Sequence, residues 1–98
     1  MAANKKIVSV VDDDLNTTEL FHIALSENID GISVVSFNDP VIALEHFAAN
    51  KDAYVLVISD LRMPGLNGLE LLKKVKSSNP KVRTILMSAY NFDEDLIF

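Results

Sequence analysis

Short apolar runs alternate along the chain with segments in which apolar residues recur at helical spacing. The apolar runs are rich in β-branched residues and cover residues 7–11, 32–37, 54–59 and 82–87. The periodic segments between them predict helices over about 15–27, 40–49 and 69–77. This order is typical of parallel strands joined by crossover helices, so the sequence predicts an α/β fold with a doubly wound, open sheet of about four strands and three to four helices.

Capping residues and spacing indicate where the helices begin and which faces they bury. Asp14 is expected to cap the first helix, and residues 38–40 form the start signal of the second. The positions predicted to face inward on the second and third helices are Val41, Leu44, Phe47 and Ala48, and then Leu69, Leu72 and Val75. After the fourth strand, Asn91 or Asp93 is expected to cap a last helical turn.

Composition narrows the function classes. Ninety-eight residues, 49% of them hydrophobic, suit one domain. A net charge of −5 without a basic stripe argues against nucleic-acid binding, and the apolar runs fall far short of the roughly 18 residues of a membrane span. The absence of cysteine excludes disulfides and thiolate chemistry, and the first residues do not match a secretory signal. We therefore expect a cytoplasmic protein.

Carboxylates and one hydroxyl stand where three predicted strands end. Asp12 and Asp13 follow the first strand, Asp60 follows the third, and Ser88 follows the fourth. The carboxyl ends of strands in such a sheet share one edge, where binding sites form. Carboxylates gathered there repel one another, and Mg²⁺ is the kind of oxygen-seeking cation that stabilises them. Asp60 could then accept a phosphoryl group, with the Ser88 hydroxyl binding its oxygens.

Three motifs make the chain resemble the CheY-like receiver domain of two-component response regulators. They are VVDDD at 10–14, VISDLRMPGLNGLELL at 57–72 and ILMSA at 85–89, in the order in which that family has them. The resemblance implies a flavodoxin-like fold and two-component signal transduction. It also implies a histidine kinase or a phosphotransfer protein as the partner that donates the phosphoryl group, and a surface that switches its affinity for other proteins.

The resemblance assigns roles to individual residues. It implies that Asp60 is the phospho-acceptor, that Ser88 is the switch residue that binds the phosphoryl group, and that Ala89 is the small residue beside it. The implied ligands of Mg²⁺ are Asp12, Asp13, Asp60 and the backbone carbonyl of Arg62. The domain would be a signalling phospho-acceptor that at most catalyses its own phosphoryl transfer and hydrolysis.

The chain departs from the family at its C-terminal end. Family members continue through a fifth strand with a phosphoryl-binding Lys and through a fifth helix, but no Lys or Arg follows Arg83 here. Residues 1–98 are therefore expected to form a single, C-terminally incomplete receiver domain. The run 84–87 would become a sheet edge and part of one sheet face would lose its cover, so we expect a homodimer or a swapped assembly through residues 84–98.

Two alternatives remain open on the sequence. The missing Lys is compatible with a phosphorylation-independent, degenerate receiver that serves as a dimerisation or docking module. The strand followed by Asp12, Asp13 and Asp14 also superficially matches a haloacid-dehalogenase-like phosphatase, although Asn16 stands where that family expects Thr or Val.

Overall fold

A computed structural model describes residues 5–87 of the chain, and this part contains seven helices and strands. In chain order they are β1 (Lys6–Val11), α1 (Leu15–Asn28), β2 (Ile32–Phe37), α2 (Pro40–Asn50), β3 (Tyr54–Asp60), α3 (Gly68–Ser78) and β4 (Arg83–Met87). The strands form one parallel sheet in the order β2-β1-β3-β4. The α/β class and the open parallel sheet predicted from the sequence are confirmed.

Some of the predictions fall on residues that this structure does not describe. Ser88, Ala89 and the last helical turn expected after Asn91 or Asp93 lie outside residues 5–87. Their predicted roles stay predictions.

The strand register sets where the strand ends meet. Val11 of β1 pairs with Ser59 of β3, and Asp60 pairs with Met87 of β4. A shift of register after Ile7 inserts one extra residue into β3 near its start, and the pairing is regular from there to the ends of both strands. The residues that follow β1 therefore leave the sheet beside the end of β3.

The sheet packs differently on its two faces. The face covered by α2 and α3 carries the larger cluster of buried residues, which includes Val11, Phe47, Val57, Leu71 and Val75. The cluster on the face covered by α1 has only three buried residues, which are Val10, Val34 and Ile58. Within residues 5–87 β4 is an edge strand, and its Ile85 is 49% exposed. The homodimer or swapped assembly expected through residues 84–98 stays a prediction.

Side-chain caps begin each helix. Asp14 accepts a hydrogen bond from the Asn16 N–H at 2.9 Å, as predicted, and Asp39 accepts one from the Val41 N–H at 2.8 Å. The third cap, Asn67, was not predicted, and α3 begins at Gly68, one residue before the predicted start. None of the helices within residues 5–87 has the length and hydropathy needed to cross a bilayer.

The predicted inward face of α2 was partly wrong. Phe47 is buried, but Ala43 is its buried neighbour one turn earlier, whereas Val41 is 51% exposed and Ala48 faces solvent. The face of α2 that packs on the sheet includes Ala43. The prediction missed this residue because alanine is small and only weakly hydrophobic. On α3 the buried residues include Leu72 and Val75 as predicted, together with Leu71, while Leu69 is half-buried.

A matched pair of Val→Ala substitutions tests these helix faces. Val75→Ala removes two methyl groups from a fully buried position on α3 and should lower the free energy of unfolding by about 2 kcal/mol. Val41→Ala makes the same change at an exposed position on α2 and should alter it by less than about 0.5 kcal/mol. Urea denaturation followed by circular dichroism measures both, and equal losses would contradict the assignment of the faces.

Candidate metal centre

Three carboxylates converge at the carboxyl edge of the sheet. Asp12 and Asp13 follow β1, Asp60 ends β3, and one carboxylate oxygen of each residue lies within 4.8 Å of those of the other two. β1 and β3 are hydrogen-bonded neighbours with aligned ends, so the parallel register itself brings the two segments together. The sequence predicted this meeting of side chains 47 or more positions apart, and the structure shows it for all three carboxylates.

Asp12 is buried, with 6% of its surface exposed, and its polar groups are held from several directions. Its backbone N–H donates to the carbonyl oxygen of Phe37 at 3.0 Å, and its carbonyl oxygen accepts from Asn38 Nδ2 at 2.8 Å. Its Oδ1 accepts from the Asp14 N–H at 3.0 Å. The side chain is therefore fixed in position before any ligand arrives.

The loop after β3 folds back against Asp60. The Gly68 N–H donates to the carbonyl of Leu61 at 2.9 Å, and Ser59 Oγ donates to the backbone carbonyl of Asp60 at 3.0 Å. A methyl group at Gly68 would collide with the Asp60 carbonyl oxygen. The start of α3 thus packs directly on the end of β3, and any side chain at position 68 would displace Asp60.

The carboxylates raise one another's pKa. Burial raises the pKa of Asp12, and the negative charge of Asp60 raises it further, while the Asp14 N–H acts in the opposite direction. Burial likewise raises the pKa of Asp60, and the charge of Asp13 adds to this. The neighbouring backbone N–H groups of Leu61 and Arg62 favour the ionised Asp60 carboxylate and lower its pKa in part. Without a cation, the folded chain therefore carries unfavourable repulsion at this edge.

An open cleft of about 530 Å³ lies beside the cluster. It is lined by Asp13, Leu61, Arg62, Met63, Pro64 and Asn67. Asp13 is exposed and Asp60 half-buried, so a ligand that enters from solvent can reach both carboxylates. Arg62 lies at this cleft, but the use of its backbone carbonyl as a metal ligand stays a prediction.

The donor set fits a divalent cation of the Mg²⁺ type. Carboxylate oxygens are hard ligands, and Mg²⁺ is usually bound through a few carboxylates, with its remaining positions taken by water or phosphate oxygens. The open cleft beside Asp13 leaves room for such additional ligands. Residues Asp12, Asp13 and Asp60 would hold the ion.

One contact at the cluster was missed at the sequence level. Asn38 was counted among the capping residues of α2, whereas Asp39 forms the cap and Asn38 reaches back to Asp12. A signal was present, because two adjacent cap-type residues before one helix leave one of them without a capping role. Proximity to Asp12 could not be deduced without the strand order.

Comparisons with known proteins agree with this architecture. The family model described as the response regulator receiver domain matches residues 8–97. The transcriptional regulator NtrC of Escherichia coli is 36% identical over 85 residues, which cover 87% of this chain and 17% of NtrC. The hydrogenase regulator HoxA of Cupriavidus necator is 30% identical over 97 residues, which cover 99% of this chain and 19% of HoxA. The chain thus spans less than a fifth of the length of these relatives.

Solved structures give the same result. The response regulator TrrA of Thermotoga maritima, in complex with Mg²⁺-BeF, superposes with a TM-score of 0.76 at 34% identity and covers 88% of this chain and 71% of that one. A response regulator receiver protein from Pseudomonas putida superposes with a TM-score of 0.74 at 26% identity and covers 96% of this chain and 76% of that one. The chain belongs to the receiver domain family of two-component response regulators.

The two alternatives from the sequence are not favoured by these findings. A degenerate docking module has no need of a gathered acidic cluster, yet all three carboxylates are present and close together. The phosphatase alternative gains nothing from the comparisons, since the family that matches nearly the whole chain is the receiver family.

Neutralising one carboxylate should stabilise the metal-free protein. A pKa raised on folding means that the native state binds the proton more tightly, so the associated stability is present at low pH and is lost as the pH rises through the folded pKa. Asp60→Asn removes the ionisable group at this position, so its contribution to the loss of stability with rising pH disappears. In metal-free buffer we expect a free energy of unfolding about 1 kcal/mol above that of the unaltered chain at pH 7, and a smaller difference near pH 4.

Asp30→Asn is the matched control, because it removes one negative charge from an exposed turn away from the cluster. It should change the free energy of unfolding by less than about 0.5 kcal/mol. Urea titrations of the three proteins at both pH values test this. Destabilisation by Asp60→Asn at pH 7 would show that the cluster is not under electrostatic strain.

Proposed function

We propose that this chain accepts a phosphoryl group on Asp60 from a histidine kinase or a phosphotransfer protein in a Mg²⁺-dependent reaction, and that this switches a protein-interaction surface. The observation that carries the proposal is the meeting of Asp12, Asp13 and Asp60 within 4.8 Å beside an open cleft. Membership of the receiver family and the likeness to TrrA, whose structure is a Mg²⁺-BeF complex, support it.

The acidic residues have different functions in this proposal. Asp12 and Asp13, with Asp60 and the backbone carbonyl of Arg62, hold Mg²⁺ in this proposal. The bound ion would offset the carboxylate charges and those of the incoming phosphoryl oxygens. Asp12 is anchored by backbone hydrogen bonds and is buried, whereas Asp13 is exposed at the cleft, so Asp13 is the ligand that first meets a cation from solvent.

Asp60 is the nucleophile. One of its carboxylate oxygens attacks the phosphorus of a phosphohistidine, the P–N bond breaks, and the imidazole nitrogen leaves with the bonding electron pair. The reaction requires the ionised carboxylate, which the N–H groups of Leu61 and Arg62 favour against the effect of burial. The hydrogen bond from Ser59 and the contact with Gly68 keep the backbone of Asp60 in place.

The proposed switch involves the end of β4. Ser88 follows Met87, which pairs with Asp60, and we assign its hydroxyl the role of binding the phosphoryl group, with Ala89 as the small residue beside it. The acyl phosphate carries about two negative charges where the free carboxylate carries one, so phosphorylation adds about one negative charge at this edge. Repacking of residues 88–98 would then change affinity for another protein, or for a second copy of this chain in a homodimer or a swapped assembly through residues 84–98.

The wider setting is part of the proposal. We place the protein in the cytoplasm, where its kinase would act, and treat residues 1–98 as one receiver domain. The matched relatives NtrC and HoxA are DNA-binding and transcriptional regulators, but this chain corresponds to less than a fifth of each. We assign no nucleic-acid contact to this domain, whose net charge is −5.

Acetyl phosphate labelling tests the acceptor. With Mg²⁺, the unaltered chain should gain one phosphoryl group by intact-mass spectrometry, and Asp60→Asn should gain none. Asp13→Asn should slow labelling by about tenfold or more, because it removes an exposed metal ligand. Chelation of Mg²⁺ should abolish labelling of the unaltered chain and of Asp13→Asn.

Asp14→Asn provides the matched control. It changes the third residue of the same acidic run, and asparagine caps a helix as well as aspartate does, so labelling should stay within about twofold of the unaltered chain. An adduct that persists in Asp60→Asn, or labelling that proceeds equally well without a divalent cation, would reject the proposed function.

A further inference from the structure

We infer that Asn38 is a positioning residue for the acidic cluster, and that its amide group sets the affinity of the site for a divalent cation. The inference rests on the proposed function, since it concerns the metal site used there. Asn38 does not line the cleft, and its amide donates to the backbone carbonyl of Asp12 and to Thr18 rather than to a carboxylate. It therefore acts through the backbone of Asp12.

The amide of Asn38 links three segments of the chain. Its Nδ2 donates to the backbone carbonyl of Asp12 at 2.8 Å, across 26 positions of sequence, and to Thr18 Oγ1 at 3.3 Å. Thr18 is 2% exposed, and its hydroxyl donates to the carbonyl of Leu15 at 3.0 Å. The amide therefore joins the end of β2 to the loop after β1 and to the first turn of α1.

The end of β2 also holds Asp12 by a second bond. The carbonyl of Phe37, the residue before Asn38, accepts the Asp12 N–H at 3.0 Å. Phe37 and Asn38 thus form hydrogen bonds with the backbone N–H and the backbone carbonyl of Asp12, respectively. The Asp14 N–H donates to one oxygen of the Asp12 carboxylate. The position of this carboxylate is consequently set as much by β2 as by its own strand.

No local role explains the side chain of Asn38. The first turn of α2 is capped by Asp39, whose carboxylate accepts from Val41, so the helix does not need a second cap. Of its two contacts, in contrast, one is the backbone carbonyl of Asp12 in the loop after β1, and the other is Thr18 in the first turn of α1, which follows that loop. Asp12, Asp13 and Asp60 carry like charges within 4.8 Å of one another, so a tether from β2 would oppose displacement of this loop from the end of β3.

Loss of the tether should weaken the site without removing a ligand. Partners that orient metal ligands typically contribute 10–100-fold to metal affinity. We expect Asn38→Ala to raise the dissociation constant for Mg²⁺ about tenfold. Asn38→Asp keeps the size of the side chain but cannot donate, and it should also weaken binding, although its added negative charge by itself would strengthen attraction of the cation.

The chain offers a matched control in Asn79. Its Nδ2 donates to the backbone carbonyl of Lys51 at 3.0 Å, across 28 positions, and ties the connection before β4 to the connection before β3. The bond has the same chemistry as that of Asn38 but lies at the opposite edge of the sheet. Asn79→Ala should lower the urea midpoint by an amount similar to Asn38→Ala and leave the affinity for Mg²⁺ within twofold of the unaltered chain.

Mg²⁺ titrations followed by amide NMR shifts, with urea denaturation of each protein, decide the matter. Weaker binding in both Asn38 variants, with unchanged binding in Asn79→Ala, supports the inference. Binding equal to that of the unaltered chain in Asn38→Ala, tighter binding in Asn38→Asp, or an equal loss in Asn79→Ala overturns it and leaves the proposed function intact. Failure of the unaltered chain itself to bind Mg²⁺ overturns the proposed function and this inference together.

Discussion

The central physical constraint on this fold is the repulsion among three carboxylates. The parallel register of β1 and β3 brings these carboxylates together. Asp12 and Asp13 follow β1, and Asp60 ends its hydrogen-bonded neighbour β3, so the sheet cannot form without bringing their charges within a few ångströms. Burial increases the cost, since it raises the pKa of Asp12 and of Asp60. Without a cation, the repulsion among these carboxylates is unfavourable. The same negative charges attract a divalent cation, which would relieve the repulsion.

Backbone contacts within residues 5–87 hold the acidic residues in place against this repulsion. Neighbouring N–H groups and the Asn38 amide fix Asp12, while the close approach of Gly68 and the hydroxyl of Ser59 fix the backbone of Asp60. Such contacts constrain position without neutralising the carboxylates. The site thereby keeps its charge for a cation and a phosphoryl group, and the cleft beside Asp13 keeps it open to both.

The sequence predicted the features that follow from local pattern and topology together. β-branched runs and caps such as Asp14 located the elements, and the rule that parallel strands end at one edge predicted the meeting of Asp13 with Asp60. It missed the contact between Asn38 and Asp12, because that contact depends on which strand lies beside β1. The prediction of the inward face of α2 was wrong at Val41, which is exposed. Hydrophobicity alone does not reveal which apolar residues pack on the sheet and which face solvent.

The most direct test of the shared site is a crystal structure of the chain grown with Mn²⁺, which replaces Mg²⁺ at oxygen ligands and scatters anomalously. The account predicts one strong anomalous peak within about 2.5 Å of carboxylate oxygens of both Asp13 and Asp60. A well-ordered cluster with no peak, or a peak bound to one of these residues and out of reach of the other, would contradict it.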